Sequence, residues 1–385
     1  MGIYTDYMNQ RLSFEQMTTE RKLQLKKISN LRQRDILVYA SDMGKSSAPI
    51  SILPNDLLPF QDQLSYVKSK DVDILLETPG GIAEVVEDMV ELIRDKYERV
   101  GIIIPGTAKS AGTIFSMAGD EILMGETSSL GPIDAQVPNN GKRFSADAFL
   151  DGLEKIKQEV LTTGKLNPAY IPMLQSISPG EIQHCENAQN FSRTLVKNWL
   201  SKYKFKYWET HHSTGKIVTQ EEKDFRADEI AVKLCKHSDW LTHGRSIRIK
   251  DLLDMKLEIY DYRESTEMND AITKYYTLLK MSFDLTGIYK IFETKDTQIY
   301  QSITQQLQPN IDRKMKPVAH ADFICPKCST SYKIQLNLAE KTPLKPGCLS
   351  YPHNDIFICP KCQTQTDIRG LRLQLEAQTG LKVVF

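Results

Sequence analysis

Two groups of residues in this 385-residue chain have the types and spacing to do chemistry. The first centres on Ser110, in the stretch Gly106-Thr107-Ala108-Lys109-Ser110-Ala111-Gly112-Thr113. A serine hydroxyl is a poor nucleophile at its own pKa and needs a base, but its placement can also activate it. Ser110 follows the apolar run Val100–Ile104 and opens a helix read from about Ser110 to Ala118. A strand-to-helix turn exposes the hydroxyl, and the helix start turns unsatisfied backbone N–H groups toward developing negative charge. Gly106, Ala108, Ala111 and Gly112 are small enough to let a substrate carbonyl approach. Pro79-Gly80-Gly81 makes a similar turn after the run Val72–Leu76. In a parallel sheet both turns lie at the carboxyl ends of strands, where open α/β sites form. One backbone donor from each turn would make an oxyanion hole, with about 3 kcal/mol per donor.

The second group is a set of thiols. Five of the seven cysteines fall between 325 and 362, and four of them form the pairs Cys325-Pro-Lys-Cys328 and Cys359-Pro-Lys-Cys362. Two such knuckles direct four sulfurs at one tetrahedral ion. The apolar steps Phe323-Ile324 and Phe357-Ile358 before them complete the pattern of a zinc ribbon, with structural Zn2+ in a closed site. Cys348 and His353 lie between the pairs as substitute ligands, although four cysteines already fill the site. Cys185 and Cys235 read as ordinary buried thiols.

The elements that must position Ser110 are read from hydrophobic period. Ile36–Ala40, Val72–Leu76 and Val100–Ile104 are short, β-rich, apolar runs, and an amphipathic helix spans Ala83–Tyr97. Strand, helix and strand in that order predict βαβ crossovers and a parallel sheet. Glu121–Met124 is a further strand, 145–204 reads as largely helical, and 205–225 as a polar surface insertion containing His211 and His212. The expected division is a helical arm over 1–33, an α/β domain carrying Ser110 over 34–262, a helical connector over 263–318 and a zinc-ribbon domain over 319–385.

Basic and acidic residues balance at 49 each, so no global field draws the chain to nucleic acid or anionic lipid. A composition of 41% hydrophobic and 25% charged residues is ordinary for a globular protein. The chain starts without a secretory pattern, Asp6 stands where a myristoylation motif needs Ser or Thr, and no apolar run is long enough to span a membrane. A cytoplasmic, soluble protein is expected, and thiols clustered in such a chain favour a metal over disulfides.

Three ordered motifs carry a resemblance: Glu-Thr-Pro-Gly-Gly at 77–81, the Ser110 stretch at 106–113, and Ser-Leu-Gly-Pro-Ile-Asp-Ala-Gln at 129–136. Over roughly residues 30 to 262 they resemble the serine dehydrogenase proteinase family, which is similar to signal peptide peptidase A and lies in the ClpP/crotonase superfamily. The resemblance implies a repeated ββα core, Ser110 as nucleophile, and the N–H groups of Gly81 and Ala111 as the oxyanion hole. It also implies a closed homo-oligomer acting on polypeptides. ClpP has a histidine roughly 25 residues after its serine, and none occurs here. The signal peptide peptidase branch uses a desolvated lysine some fifty residues on, which makes Lys165, in Thr-Thr-Gly-Lys-Leu-Asn-Pro, the candidate base. Lys142, Lys155 and Lys157 are rivals, and Pro132 stands where relatives place a helper serine.

Asp134 reads either as the residue that orients the base or binds a substrate amine, or as a turn former after Pro132. Lys109 reads as surface or substrate-facing, and His243 as structural. The expected function is a Ser-Lys endopeptidase, ATP-independent because no Walker A motif is present. The zinc ribbon would recruit substrate or partner, its scattered lysines suiting an acidic protein or nucleic acid. The alternatives are a weakly catalytic binding scaffold of the same fold and, third, a crotonase-type thioester enzyme.

Overall fold

The fold is described from a computed structural model, which covers residues 2–139, 142–211, 214–303, 318–338 and 340–385. Two helices, α1 (Ile3–Gln10) and α2 (Phe14–Arg32), open the chain, followed by β1 (Asp35–Ser41), α3 (Leu57–Ser65), β2 (Asp71–Glu77), α4 (Ala83–Arg94) and β3 (Arg99–Ile104). After β4 (Thr107–Ala108) come α5 (Ala111–Ser116), β5 (Glu121–Met124) and β6 (Ser129–Leu130). The hairpin β7 (Gln136–Asn139) and β8 (Lys142–Ser145) leads into α6 (Ala146–Thr163), α7 (Ile171–Gln175) and α8 (Pro179–Trp199). Next are α9 (Gln220–Cys235), α10 (His237–Trp240), α11 (Ile249–Asp254), β9 (Tyr260–Asp261) and α12 (Thr266–Asp284). The remainder is β10 (Ile288–Glu293), β11 (Gln298–Ser302), β12 (Val318–Ile324), β13 (Ser331–Leu338), β14 (Cys348–Ser350), β15 (Ile356–Ile358), β16 (Gln365–Asp367), α13 (Arg369–Thr379) and β17 (Val383–Val384).

The main sheet has the order β11-β10-β1-β2-β3-β5-β9, parallel from β1 through β9 and antiparallel at β10. Its register brings Leu37, Ile74, Ile102 and Ile122 side by side. A parallel sheet is covered on both faces, which is why these strands read as continuous apolar runs. Val86, Met89, Val90 and Ile93 on α4 line one part of its core. At the strands' amino ends, Arg32 and Arg34 hold the buried Asp73 together with Glu121.

A second, shorter layer runs across the strands' carboxyl ends as a row of isolated bridges and one two-residue ladder. Ile52 pairs with Gly81, Thr78 with Ala108, β4 with β6, and Leu130 with Ile247. All three sequence motifs contribute to it.

The helical connector expected over 263–318 is corrected by the structure. Among its described residues α12 is the one long helix, β10 and β11 extend the main sheet, and 304–317 lie outside the described residues. Lys290 in the middle of Ile-Tyr-Lys-Ile-Phe-Glu masks the apolar alternation of β10. The chain forms two compact units, one of residues 27–272 with 290–299 and the other of residues 1–26, 273–289 and 300–385. In the second unit the buried Arg21 donates to Ser282 Oγ at 2.5 Å and Tyr300 Oη at 2.7 Å. The same unit holds the antiparallel pair β12–β13 and a small core around Ile334, Leu336 and Phe357.

Candidate active site

Ser110 stands at the N-cap of α5, a helix buried over its whole length. Its backbone has φ 51° and ψ −117°, a region costly for a residue with a Cβ and found where function over-determines the chain, at about 1–3 kcal/mol. What holds it there is local. Thr113 and Ile114 donate to the Ser110 carbonyl at 2.8 and 3.1 Å, and Gly112 N–H donates to Lys109 at 2.7 Å. One step back, Thr78 N–H donates to Thr107 and Lys109 N–H donates to Thr78, at 2.8 and 3.0 Å. The Ser110 side chain makes no capping bond, so its hydroxyl is not committed to the helix.

The Gly80–Gly81 turn abuts this one. Gly80 has φ +99°, and a Cβ there would lie 2.8 Å from Ser110 Cβ and 3.1 Å from the Ala111 nitrogen. A Cβ on Gly112 would lie 2.5 Å from Thr78 Cγ2. These glycines therefore permit close approach of two backbones. Gly81 is exposed, and its bridge partner Ile52 bonds to the residues on either side of it, donating to Gly80 O at 2.8 Å and accepting from Ile82 N–H at 3.0 Å. In a parallel bridge of this kind the N–H of Gly81 faces away from Ile52. Ala111, as the first residue of α5, likewise has an N–H without a helical acceptor.

The third motif walls the site. Ser129 N–H donates to Gly106 O at 2.7 Å, and Thr113 Oγ1 donates toward both Ala108 O and Gly131 O at 2.9 Å. Lys109, read as surface or substrate-facing, is half-buried and anchored. Its Nζ donates to Leu130 O at 2.8 Å, Arg245 O at 3.0 Å and Ser246 Oγ at 3.0 Å. Burial, with Arg248 nearby, pulls this ammonium down to about 8. Lys109 diverges from Ser110, as a helix start requires, and ties 245–246 against the motif at 129–131.

Asp134 is buried and gathers two imidazoles. Its Oδ1 meets His243 Nδ1 at 2.6 Å, its Oδ2 meets His237 Nδ1 at 2.8 Å, and Gln136 donates to Oδ2 at 2.9 Å. Burial raises its pKa, but the His243 and His237 contacts outweigh that and hold the carboxyl below its ordinary value. Each ring keeps about a third of its side chain exposed, at 27% for His237 and 30% for His243. Asp134 thus orients two imidazoles, those of His237 and His243. Sequence reasoning missed His237 altogether.

Lys165 lies in the exposed turn after α6, where its carbonyl accepts from Thr163 Oγ1 at 3.0 Å. Lys155 and Lys157 pair on the same exposed helix with Asp151 and Glu154. Lys142 is in β8, with its side chain outside the described residues. His211 pairs with Glu222 at 3.1 Å on the surface, and His212 is outside the described residues.

The Sγ atoms of Cys325, Cys328, Cys359 and Cys362 lie within 4.8 Å of one another and could hold a metal ion. The two knuckles are copies. Cys325 N–H donates to Thr330 O and Cys359 N–H to Thr364 O, both at 2.9 Å, and Ser329 N–H and Gln363 N–H return to Cys325 O and Cys359 O at the same distance. Ser329 and Gln363 both adopt positive φ, at 53° and 59°. Cys348 lies in β14, opposite Lys333, and His353 stacks on Phe385. Cys185 and Cys235 are buried thiols, and burial pushes Cys235 up to about 12.

A parallel α/β core with a strained serine at one strand-to-helix turn and a paired glycine turn beside it is the arrangement of a ClpP-like fold. Residues 64–166 match the family model of the ClpP-like SDH-type serine proteinases, in agreement with the resemblance carried by the three motifs. Two uncharacterized proteins of Methanocaldococcus jannaschii are similar. MJ1495 is 30% identical over 104 residues, 27% of this chain and 36% of that one. MJ0137 is 33% identical over 70 residues, 18% of this chain and 24% of that one. The chain therefore spans about a third and a quarter of the length of these relatives. Among solved structures, a serine-to-alanine mutant of the 1510-N membrane-bound stomatin-specific protease aligns with TM-score 0.34 and 16% identity, over 57% of this chain and 79% of that one. A lysine-to-alanine mutant of that protease with a substrate peptide gives TM-score 0.30 and 16% identity, over 64% and 78%.

Proposed function

We propose that this chain is a serine endopeptidase that forms an acyl-enzyme at Ser110. The observation that carries the reading is the strained backbone of Ser110 at the start of a buried helix, set against the Gly80–Gly81 turn. Ser110 Oγ adds to the scissile carbonyl while a base takes the hydroxyl proton. The carbonyl oxygen becomes an oxyanion that accepts from the N–H groups of Gly81 and Ala111, each worth about 3 kcal/mol in the transition state. Collapse breaks the C–N bond, and the amine leaves with the proton. Water then repeats the sequence on the ester and restores Ser110.

The base in this reading is Lys165, by resemblance. It is exposed in the single chain, so the desolvation a lysine base needs must come from a second copy in a homo-oligomer. A second reading rests on Asp134, whose two oriented imidazoles make an Asp–His base on a residue of the third motif itself. Lys165→Ala and the pair His237→Gln and His243→Gln separate the two. The variant that abolishes labelling by a fluorophosphonate while Ser110 remains intact identifies the base.

The four thiols support a structural Zn2+. Cys325–Cys362 and Cys328–Cys359 each stand 3.6 Å apart, close to the edge of about 3.8 Å in a tetrahedron with Zn–S bonds of about 2.3 Å. The ion would cross-link the two knuckles, which would present a surface for substrate or a partner. No helix among the described residues is long and apolar enough to cross a membrane, and we place the enzyme in the cytoplasm, acting without ATP.

A further inference from the structure

The ion pair Lys290–Asp56 is deeply buried, and the catalytic scheme above does not use it. Both side chains are about 1% exposed. Lys290 Nζ donates to both Asp56 oxygens, at 2.8 and 2.7 Å, and to the Ser51 carbonyl at 2.7 Å. Asp56 in turn accepts from Tyr39 Oη at 2.8 Å and from the Leu53 N–H at 2.9 Å. The ammonium has spent its three protons, and the carboxylate holds two neutral donors besides the lysine. Burying two charges is expensive, and a packed apolar pair would serve stability as well or better. The cost points to a positional role.

What the pair grips is informative. Ser51 and Leu53 flank Ile52, and Ile52 is the bridge partner of Gly81. Ile52 N–H donates to Gly80 O and Ile52 O accepts from Ile82 N–H, so the backbone of residues 80–82 follows that of Ile52. The contact leaves no slack, because a Cβ on Gly81 would overlap the backbone N and O of Ile52. The chain of contacts runs from Lys290 on β10, through Asp56 and the Ser51 carbonyl, to Ile52 and then to the Gly81 amide.

We propose that Lys290 and Asp56 are positioning residues that fix the Gly81 N–H of the oxyanion hole by pinning residues 51–53. The inference rests on the Ser110 reading for its catalytic meaning, but the mechanical link stands on the contacts alone. Lys290 touches no reacting atom. It acts through Ile52, and β10 therefore belongs to the site as well as to the sheet.

The test uses the full chain carrying Lys290→Met together with Asp56→Asn, which leaves neither charge unpaired. Fragment-resolved hydrogen exchange reads the amides of Ile52 and Ile82, which close the bridge. Both are expected to exchange at least about tenfold faster, while Ile74 and Ile102 in the sheet keep wild-type protection. The variant should react with a fluorophosphonate at Ser110 about 100-fold more slowly, and on a peptide ester kcat should fall by about as much with KM within about twofold. Val67→Ala, a buried substitution elsewhere in the core, serves as a control for destabilisation alone and keeps kcat. Wild-type protection at Ile52 and Ile82 overturns the positioning role whatever the activity. Lost protection with wild-type labelling overturns its link to catalysis. If the wild-type chain itself fails to label, the Ser110 reading falls, and the exchange data still decide whether the pair holds the turn.

Discussion

Replacing Gly80 by alanine probes the contact on which the site depends. At φ +99° an alanine pays backbone strain of about 1–3 kcal/mol. Its Cβ would also lie 2.6 Å from the Lys109 carbonyl and 2.8 Å from Ser110 Cβ. One neighbour is backbone and the other a Cβ, so neither can swing aside, and forced repacking of this sort costs about 1–3 kcal/mol more. The sum is about 2–6 kcal/mol, a large part of the roughly 5–15 kcal/mol that holds a typical domain together. Urea unfolding followed by circular dichroism should show a lower midpoint with unchanged slope. Because the relief must come from separating the two turns, Ser110 labelling should fall by more than about 100-fold under conditions where the variant is still folded. A Gly80→Ala protein with wild-type midpoint and wild-type labelling would refute the claim that the turns are in contact.

Cys359→Ser should lower bound zinc to a small fraction of one ion per chain by elemental analysis and destabilise the second unit, whereas Cys348→Ser should retain the metal. Acid titration should weaken the first unit as Asp134 protonates. Its folded pKa is depressed, so its contribution is complete above the unfolded value of about 3.9 and is lost as pH falls through the lower folded value. Asp134→Asn should remove that part of the acid limb in a melting-temperature series from pH 2 to about 6. Lys109, with its ammonium drawn down to about 8, should be reductively methylated with a midpoint near that pH, well below the exposed lysines near about 10.4, as read by peptide mass spectrometry.

Much of the fold was legible because its signals are local. Val72–Leu76 and Val100–Ile104 are apolar runs of strand length with Gly-containing turns after them, and each Cys-Pro-Lys-Cys knuckle is specified within four residues. The glycine turn at Gly80-Gly81 could be read for the same reason. The Asp134 cluster could not. Asp134 meets His237 and His243 across 103 and 109 residues, and nothing in their local spacing marks the encounter. β10 was hidden by Lys290, a charge in mid-strand that makes sense only once Asp56 is known to face it. The anchoring of Lys109 was hidden for a related reason. Its partners Leu130, Arg245 and Ser246 are backbone and hydroxyl groups supplied by distant loops.

The most direct measurement is active-site titration of the full chain with a fluorophosphonate, followed by peptide mapping of the adduct. One adduct per chain is expected, located on Ser110, abolished by Ser110→Ala and slowed when Gly80 is replaced. A well-folded, zinc-loaded chain that forms no adduct across pH 6 to about 10, or forms it on another residue, would contradict that expectation.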